Sequence, residues 1–433
     1  MIITIKIIVF ILGYLAIPLE HPIKVDKAAT ALIIGGISWA LFAFSGIDQH
    51  TLTHEIKHHI VDIAEILFFL LGAMTIVELV DAHQGFSIIT DKITTNKKVS
   101  LIWILSIITF FFSAVLDNLT TAIVMATLLP KLIKDKETLW LFAGVLILSA
   151  NAGGAWSPIG DITTIMLWIG GQVSAGSIIP SIIIPSIVCA LIPLIYLSFK
   201  LKGEIERPTI TVLDEHKSNP TTSFERNLIF YLGVAGLLFV PIFKTTTHLP
   251  PYLGMMLSLG ILWLVTEVIH RSKNHEIKSQ LSVIGVLKKI DTPTIFFFLG
   301  ILLAVASLQS AGQLDILAKY LDTTFNGQTA EGVYVINFII GLLSSIVDNV
   351  PLVAGAMGMY PIAENGLYAA DGTFWEFLAY CAGTGGSVLI IGSAAGVAVM
   401  GILKIDFIWY LKKISVLAIF GYIAGAATYI LMQ

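Results

Sequence analysis

Charged residues are scarce in this chain of 433 residues: Asp, Glu, Lys and Arg make up only 12% of it, whereas 56% is hydrophobic. The mean hydropathy is positive, and this composition lies outside the range of ordinary soluble globular domains. No long polar segment separates the apolar tracts, which leaves no room for a sizeable soluble domain. Nothing in the sequence supports nucleic-acid binding. We therefore expect a polytopic membrane protein in a lipid bilayer.

Cysteine is also nearly absent. Cys189 and Cys381 both lie in apolar tracts, without the C-x-x-C spacing of zinc or redox sites. We interpret both as packing residues, and no cofactor is expected. The opening segment lacks a basic n-region and an A-x-A-like cleavage site, so we interpret it as a retained span and not as a signal peptide.

Apolar tracts of membrane-spanning length predict an all-α integral membrane protein with about ten transmembrane helices. Two further apolar pairs, 99–134 and 331–363, each fold back at an Asp-Asn pair and are interpreted as re-entrant hairpins. The predicted spans cover residues 2–18, 28–46, 60–81, 139–170, 178–199, 226–243, 251–270, 292–310, 374–402 and 408–430.

Basic residues are distributed unevenly between the two sides that this topology creates. Of the 25 Lys and Arg residues, all but four fall on one side, and the four are Lys6, Lys57, Lys244 and Lys319. Because cytoplasmic loops carry an excess of Lys and Arg, the richer side is predicted to face the cytoplasm. The chain is then a multi-pass protein of the cell inner membrane with both termini outside the cytoplasm.

Three motifs occur twice, in the same order and at offsets of 228, 231 and 232 residues. They are FFLLG at 68–72 with FFFLG at 296–300, the two Asp-Asn pairs, and GGAWSPIGD at 153–161 with GGSVLIIGS at 385–393. Five predicted spans separate equivalent points, so the two halves have opposite orientations in the membrane. This is the inverted-repeat arrangement of secondary transporters.

The repeat divides the chain into two predicted domains. Residues 1–200 form the first inverted repeat, 201–225 a cytoplasmic linker and 226–433 the second inverted repeat. Each half contains one hairpin and one broken helix, and the broken helices are predicted at 139–170 and 374–402.

The Asp-Asn pairs place ionisable groups where hydrocarbon is expected. An Asp such as Asp117 or Asp348 costs roughly 2.5 to 3.5 kcal/mol to insert at the centre of a span, and such residues usually mark ion or proton pathways. Asn118 and Asn349 follow them, and an Asn carbonyl is able to coordinate a cation. Capping of helix starts is the alternative, although it does not explain two copies at matching places.

A second polar group interrupts an apolar tract in SANAGGAWSPIGDITT, residues 149–164. Its Gly and Pro residues are expected to break the helix and to free backbone carbonyls as ligands. Glycine-rich helix packing is the alternative, but it leaves Asp161 unexplained. The side-chain oxygens around this break and its second-half counterpart belong to Asn151, Ser157, Asp161, Thr163 and Thr164, and to Thr384, Ser387 and Ser393.

Hard cations such as sodium prefer oxygen ligands from carboxylates, carbonyls and hydroxyls. We therefore predict a sodium site at Asp117, Asp161 and Asp348. A proton is able to replace the cation on such carboxylates. Competition between cation and proton for shared oxygens is the minimal chemistry of an antiporter.

Two further groups have open interpretations. Glu65 is either an access group for ions or a solvated residue at the end of a span. His50, His54 and His58 recur at four-residue spacing in a predicted outward loop. They fit a pH-sensing or metal-binding role, although a solvated polar helix face is the favoured interpretation.

Together these motifs resemble the NhaD-type sodium/proton antiporters of the ion transporter superfamily. The resemblance covers most of residues 28–430 and rests on the two D-N tips, on SANAGGAWSPIGDITT and on its counterpart AGTGGSVLIIGSAAG. It implies a two-halved scaffold, assembled as a homodimer, that exports sodium or lithium in exchange for protons. The second half departs from symmetry at Ser393, opposite Asp161. The resemblance implies functional roles for Asp117, Asn118, Asn151, Asp161, Thr163, Thr164, Ser344, Asp348 and Asn349.

Two rival functions share some of these features. A sodium-coupled dicarboxylate or other anion carrier has similar hairpins and broken spans, but a carboxylate at each tip repels an anionic substrate. An intramembrane aspartyl protease would use Asp117 and Asp348 as a dyad. Such an enzyme needs no inverted repeat, and the chain has no G-x-G-D stretch. The sequence therefore predicts a transporter and not an enzyme.

Overall fold

The computed structural model describes residues 2–17, 20–90, 92–208 and 221–433. Within these ranges the regular structure is helical, apart from two isolated bridges, Lys97–Glu204 and Ala363–Ala369. The central part of the predicted linker, 209–220, lies outside the described residues. The helices are α1 (Ile2–Ala16), α2 (Glu20–Ile23), α3 (Lys27–Ala43), α4 (Gln49–Ala82), α5 (Ser87–Thr90), α6 (Lys98–Leu116), α7 (Asn118–Leu132), α8 (Lys136–Ala155), α9 (Ile162–Ile169), α10 (Ala175–Lys200), α11 (Ser223–Thr247), α12 (Pro251–Ile269), α13 (His275–Leu281), α14 (Val283–Leu287), α15 (Thr292–Ser310), α16 (Gln313–Phe325), α17 (Ala330–Leu343), α18 (Asn349–Met359), α19 (Thr373–Gly385), α20 (Ala394–Leu403), α21 (Phe407–Lys413) and α22 (Ser415–Met432).

The chain is an all-α integral membrane protein, which confirms the predicted fold class. Among the described residues, eight helices are long and apolar enough to cross a membrane, namely α4, α6, α8, α10, α11, α12, α15 and α22. A ninth span would require α20 and α21 together, and these are bent by 117°. The predicted spans 2–18 and 28–46 correspond to α1 and α3, which have 15 and 17 residues. The total of ten spans and the re-entrant course of the hairpins stay predictions.

Helix starts carry side chains that satisfy the free backbone N–H groups of the first turn. Asp26, Asp48 and Asp135 accept hydrogen bonds from these groups in α3, α4 and α8. Thr222 and Glu225 form a reciprocal capping box at α11. Since unpaired N–H groups are costly away from water, these caps fix where each helix begins.

Four interruptions between successive helices, called helix breaks here, meet in the interior of the protein. α6 packs on α8, and α17 packs on α19 in the same way. The shorter helices that follow the breaks pack against helices of the other half of the chain: α7 packs on α20, and α9 packs on α18. Side chains from the breaks between α6 and α7, α8 and α9, α17 and α18, and α19 and α20 are therefore joined by hydrogen bonds.

A glycine at the same place in α8 and α19 permits this close packing. A Cβ atom on Gly153 would lie 2.1 Å from the carbonyl oxygen of Phe110, and one on Gly385 would lie 2.0 Å from that of Gly341. Both distances are far inside van der Waals contact, so a larger residue would push the helices apart.

Gly153→Ala and Gly385→Ala should each lower the stability of the protein, by roughly 1–3 kcal/mol or more for overpacking of this kind. Gly36→Ala is the matched control, since Gly36 lies in α3 and an added Cβ would meet nothing within 4 Å. The measurement is thermal unfolding of the purified proteins in detergent. Equal melting temperatures for Gly153→Ala and Gly36→Ala would contradict the packing explanation.

Candidate ion-binding site

Asp161 lies at the centre of the site, at the start of α9, with 1% of its surface exposed. Its Oδ2 accepts a hydrogen bond of 2.6 Å from Nδ2 of Asn118. Its Oδ1 accepts from the backbone N–H of Thr163 at 2.9 Å and from the Thr163 hydroxyl at 2.7 Å. Nδ2 of Asn349 approaches the same oxygen to 3.4 Å. The two asparagines that follow the repeated aspartates therefore converge on one carboxylate.

Asn151 connects this carboxylate network to the second half of the chain. Its Oδ1 accepts from Nδ2 of Asn118 at 3.1 Å. Its Nδ2 donates to the hydroxyls of Ser387 at 2.8 Å and Ser393 at 3.0 Å. Ser393 also caps α20, because its Oγ accepts from the backbone N–H of Gly396. The residue that replaces Asp161 in the second half is thus a neutral member of the same network.

Asp117 connects α6 to α7 with a backbone φ of +75°, a region that residues other than glycine rarely adopt. Its two carboxylate oxygens accept from the backbone N–H and from the hydroxyl of Thr120, both at 2.8 Å. Asp117 is therefore the N-cap of α7 as well as a buried carboxylate. Our sequence reasoning missed Thr120, although the spacing D-N-L-T is the local signal of such a cap.

Asp348 has a different environment. Its Oδ1 accepts from the backbone N–H of Val350 at 3.1 Å, and its Oδ2 lies 3.6 Å from Nζ of Lys27. Lys27 is the first residue of α3, and the sequence analysis counted it only among the basic residues of the cytoplasmic side. No local signal marks this contact, since it joins residues that lie far apart in the sequence.

Four of the predicted hydroxyl ligands are buried but donate to backbone carbonyls. In this arrangement they stabilise the breaks, while their oxygens keep the capacity to accept. The bonds run from Ser157 to Ala114 (2.5 Å), from Ser344 to Ala382 (3.0 Å), from Thr164 to Asp161 (2.8 Å) and from Thr384 to Tyr380 (2.6 Å).

The site contains three buried carboxylates, and the basic residues near them are too few to neutralise their negative charge. Among the described residues, no basic nitrogen lies within 4.0 Å of Asp117 or Asp161, and only Lys27 lies within that distance of Asp348. A buried carboxylate without a counter-charge is costly. The site therefore has a chemical demand for cations, whether metal ions or protons.

The oxygens available to a cation at this site include neutral ones as well as carboxylates. In the described part of the chain, no group of three carboxylate, imidazole or thiol side chains is arranged to hold one metal ion. Neutral side chains supply the other available oxygens. Thr163 bonds to Asp161 through its hydroxyl, Asn118 and Asn349 bond to it through their Nδ2 groups, and the Oδ1 of Asn151 accepts from Asn118. The arrangement favours one carboxylate with several neutral oxygens.

Glu65 lies away from this network, on α4, beside a cavity of about 350 Å³ that His58 also lines. The cavity reaches Met166 of α9 and Ala354 of α18, beyond the helix ends that carry Asp161 and Asp348. His50 and His54 are exposed.

Comparison with known proteins places this chain among membrane transporters. A sequence profile of the citrate transporter family matches residues 7–375. Sodium/proton antiporter 1 of Arabidopsis thaliana is 44% identical over 425 residues, which cover 98% of this chain and 71% of the plant protein. Sodium/proton antiporter 2 of the same plant is 42% identical over 426 residues, 98% of each chain.

A bacterial relative extends the similarity. The Na(+)/H(+) antiporter NhaD of Vibrio cholerae is 29% identical over 460 residues, which cover 99% of this chain and 91% of that protein. The family and these relatives are transporters and not enzymes. The chain therefore belongs to the citrate transporter family, as a relative of the NhaD-type sodium/proton antiporters.

Proposed function

We propose that this protein is a secondary active transporter that exchanges cytoplasmic sodium or lithium for external protons. The observation that carries the proposal is the Asp161 carboxylate, which is buried without a basic partner among the described residues and lies within a network of amides and hydroxyls. A cation and a proton each neutralise such a carboxylate, and they exclude each other when they use the same oxygens. The names of the plant and bacterial relatives support sodium and protons as the exchanged ions.

Sodium would bind beside Asp161 with neutral oxygens completing its coordination. Asn118 and Asn349 now donate their Nδ2 groups to the carboxylate. Rotation of these amides would present their carbonyl oxygens to an arriving cation instead. The network therefore has two states, one in which amides satisfy the carboxylate and one in which a cation does. Asp117 at the start of α7 and Asp348 at the start of α18 would supply negative charge around the sodium ion.

The division into two inverted repeats, 1–200 and 226–433, is also part of the proposal. Supporting it, Ser113 donates to the carbonyl of Ala150, and Ser344 donates to that of Ala382, at offsets of 231 and 232 residues. The close contacts of Gly153 and Gly385 match at the same offsets. Two repeats that approach one site from opposite sides provide alternating access when one moves against the other.

The setting of the transporter completes the proposal. We place it in the cell inner membrane with both termini outside the cytoplasm, because the basic residues concentrate on one predicted side. A homodimer and lithium as a second substrate follow from the resemblance to NhaD-type antiporters. Glu65, beside the cavity on α4, is proposed as an access group.

Citrate is the alternative substrate, because the family is named for it. A citrate anion at this site would face Asp117, Asp161 and Asp348 with Lys27 as the nearby positive charge. Repulsion between carboxylates in a site of low dielectric disfavours this binding.

Purified protein in proteoliposomes should move protons when a sodium or lithium gradient is imposed. The measurement uses a pH-sensitive dye in the vesicle lumen, and potassium in a parallel sample sets the selectivity. Citrate should neither move protons nor accumulate in the vesicles. Sodium-driven citrate uptake without sodium-driven proton exchange would support the anion carrier instead.

Asp161→Asn should raise the half-saturating sodium concentration about tenfold or more, because a neutral amide replaces the charged ligand. Thr163→Ala should cause a smaller loss, since it removes a neutral oxygen. Calorimetric titration of purified protein at constant ionic strength measures both. Asp315→Asn is the control, because Asp315 is exposed on α16 and carries the same charge change. A larger loss in Thr163→Ala than in Asp161→Asn would contradict this order of ligands.

Sodium affinity should improve as the pH rises and then become constant. The sign follows from competition: raising the pH removes protons from the shared carboxylate oxygens and leaves them free for sodium. Titration of the wild type between about pH 5.5 and 9, with choline chloride holding ionic strength constant, measures this change. If the affinity stays the same over that range, protons and sodium do not share the site.

A further inference from the structure

The two Asp-Asn pairs differ in the hydrogen-bond donors that their aspartates receive. Both oxygens of Asp117 accept hydrogen bonds from Thr120 on its own helix. The residue at the matching position after Asp348 is Pro351, which has neither a backbone N–H nor a hydroxyl to donate. Asp348 therefore uses one oxygen to accept from Val350, and its second oxygen is left for a partner elsewhere in the chain.

Lys27 is that partner. Its Nζ lies 3.6 Å from Oδ2 of Asp348 and 4.5 Å from the ring centroid of Phe297 in α15. The pair is largely sheltered from solvent, since 17% of the Lys27 side chain and 9% of the Asp348 side chain are exposed. The ring face of Phe297 favours a positive charge at this point. Lys27 thus places its ammonium group beside the Asp348 oxygen that has no hydrogen-bond donor among the described residues.

The contact is loose enough to be exchanged. At 3.6 Å it is an ion pair longer than a normal hydrogen bond. A long, flexible lysine side chain is able to withdraw and keep its charge in a more hydrated position.

We propose that Lys27 is a tethered counter-ion that neutralises Asp348 and is displaced from it when sodium binds beside Asp161, to which the next residue, Asn349, is hydrogen-bonded. This inference rests on the proposed function and extends it, because it identifies a residue that sets sodium affinity without being a sodium ligand. Lys27 competes with sodium through its ammonium group and does not share the sodium ligands. The wild-type affinity is then lower than the oxygen ligands alone would give.

Lys27→Gln should therefore lower the half-saturating sodium concentration, by about three- to tenfold for the loss of one competing ion pair. Lys27→Arg, which keeps the charge, should bind sodium no more tightly than the wild type. Lys24→Gln is the matched control, because Lys24 is an exposed lysine three residues earlier. Calorimetric titration with sodium chloride, at constant ionic strength with choline chloride, measures all four proteins.

Unchanged or weaker sodium binding in Lys27→Gln would overturn the inference, and weaker binding would show that Lys27 positions Asp348. A wild type that binds no sodium would instead overturn the proposed function, and this inference with it.

A measurement on the unmodified protein covers the case in which Lys27→Gln does not fold. Acetylation of Lys27 by an amine-reactive reagent, followed by mass spectrometry, should be faster in sodium than in choline, whereas that of Lys24 should not change. Equal acetylation of Lys27 in both salts would also overturn the inference.

Discussion

The burial of the Asp161 carboxylate at the meeting point of four helix breaks is the constraint on which the rest of this structure depends. A buried negative charge requires donors or cations around it. The donors come from Asn118, Asn349 and Thr163, which lie on three different helices. The longer helices before these breaks approach closely at Gly153, which brings α8 against α6, and at Gly385, which brings α19 against α17. The geometry of the breaks and the chemistry of the site are therefore parts of one arrangement.

From the sequence alone, helix capping and ion binding are competing explanations for the repeated aspartates. The structure shows that Asp117, Asp161 and Asp348 are all N-caps, so the capping explanation is correct for each of them. A carboxylate has about four lone-pair positions, and a cap uses only some of them. A buried carboxylate that caps a helix still favours a cation nearby, because the capped N–H groups do not supply a full positive charge.

Much of this arrangement could be predicted from the sequence, because apolar periodicity and Gly and Pro breaks are local signals. The motifs place Asn151, Ser387 and Ser393 near the breaks, and in the structure Asn151 donates to both serines. The central place of Asp161 could not be predicted, since it depends on how four separate helix ends pack. The contact between Lys27 and Asp348 was also beyond sequence reasoning, because nothing near either residue encodes it.

The roles of Ser157 and Ser344 show the same limit. Both were expected as ligands, and both donate to carbonyls on neighbouring helices. A hydroxyl in a buried helix serves equally well as an ion ligand or as a backbone partner, and the choice depends on which carbonyl lies within reach. Residue type and spacing alone contain no information about that distance.

The N-cap role of Asp161 has a mechanical consequence. An ionised carboxylate stabilises the first turn of α9 in two ways. It accepts a hydrogen bond from Thr163, and its negative charge is attracted to the positive end of the helix dipole. Protonation removes the charge and weakens both effects. The first turn of α9 is therefore firmest when Asp161 is ionised and loosest when it carries a proton. In the proposed exchange, the residue that binds either sodium or a proton would therefore also set the rigidity of the helix end beside it.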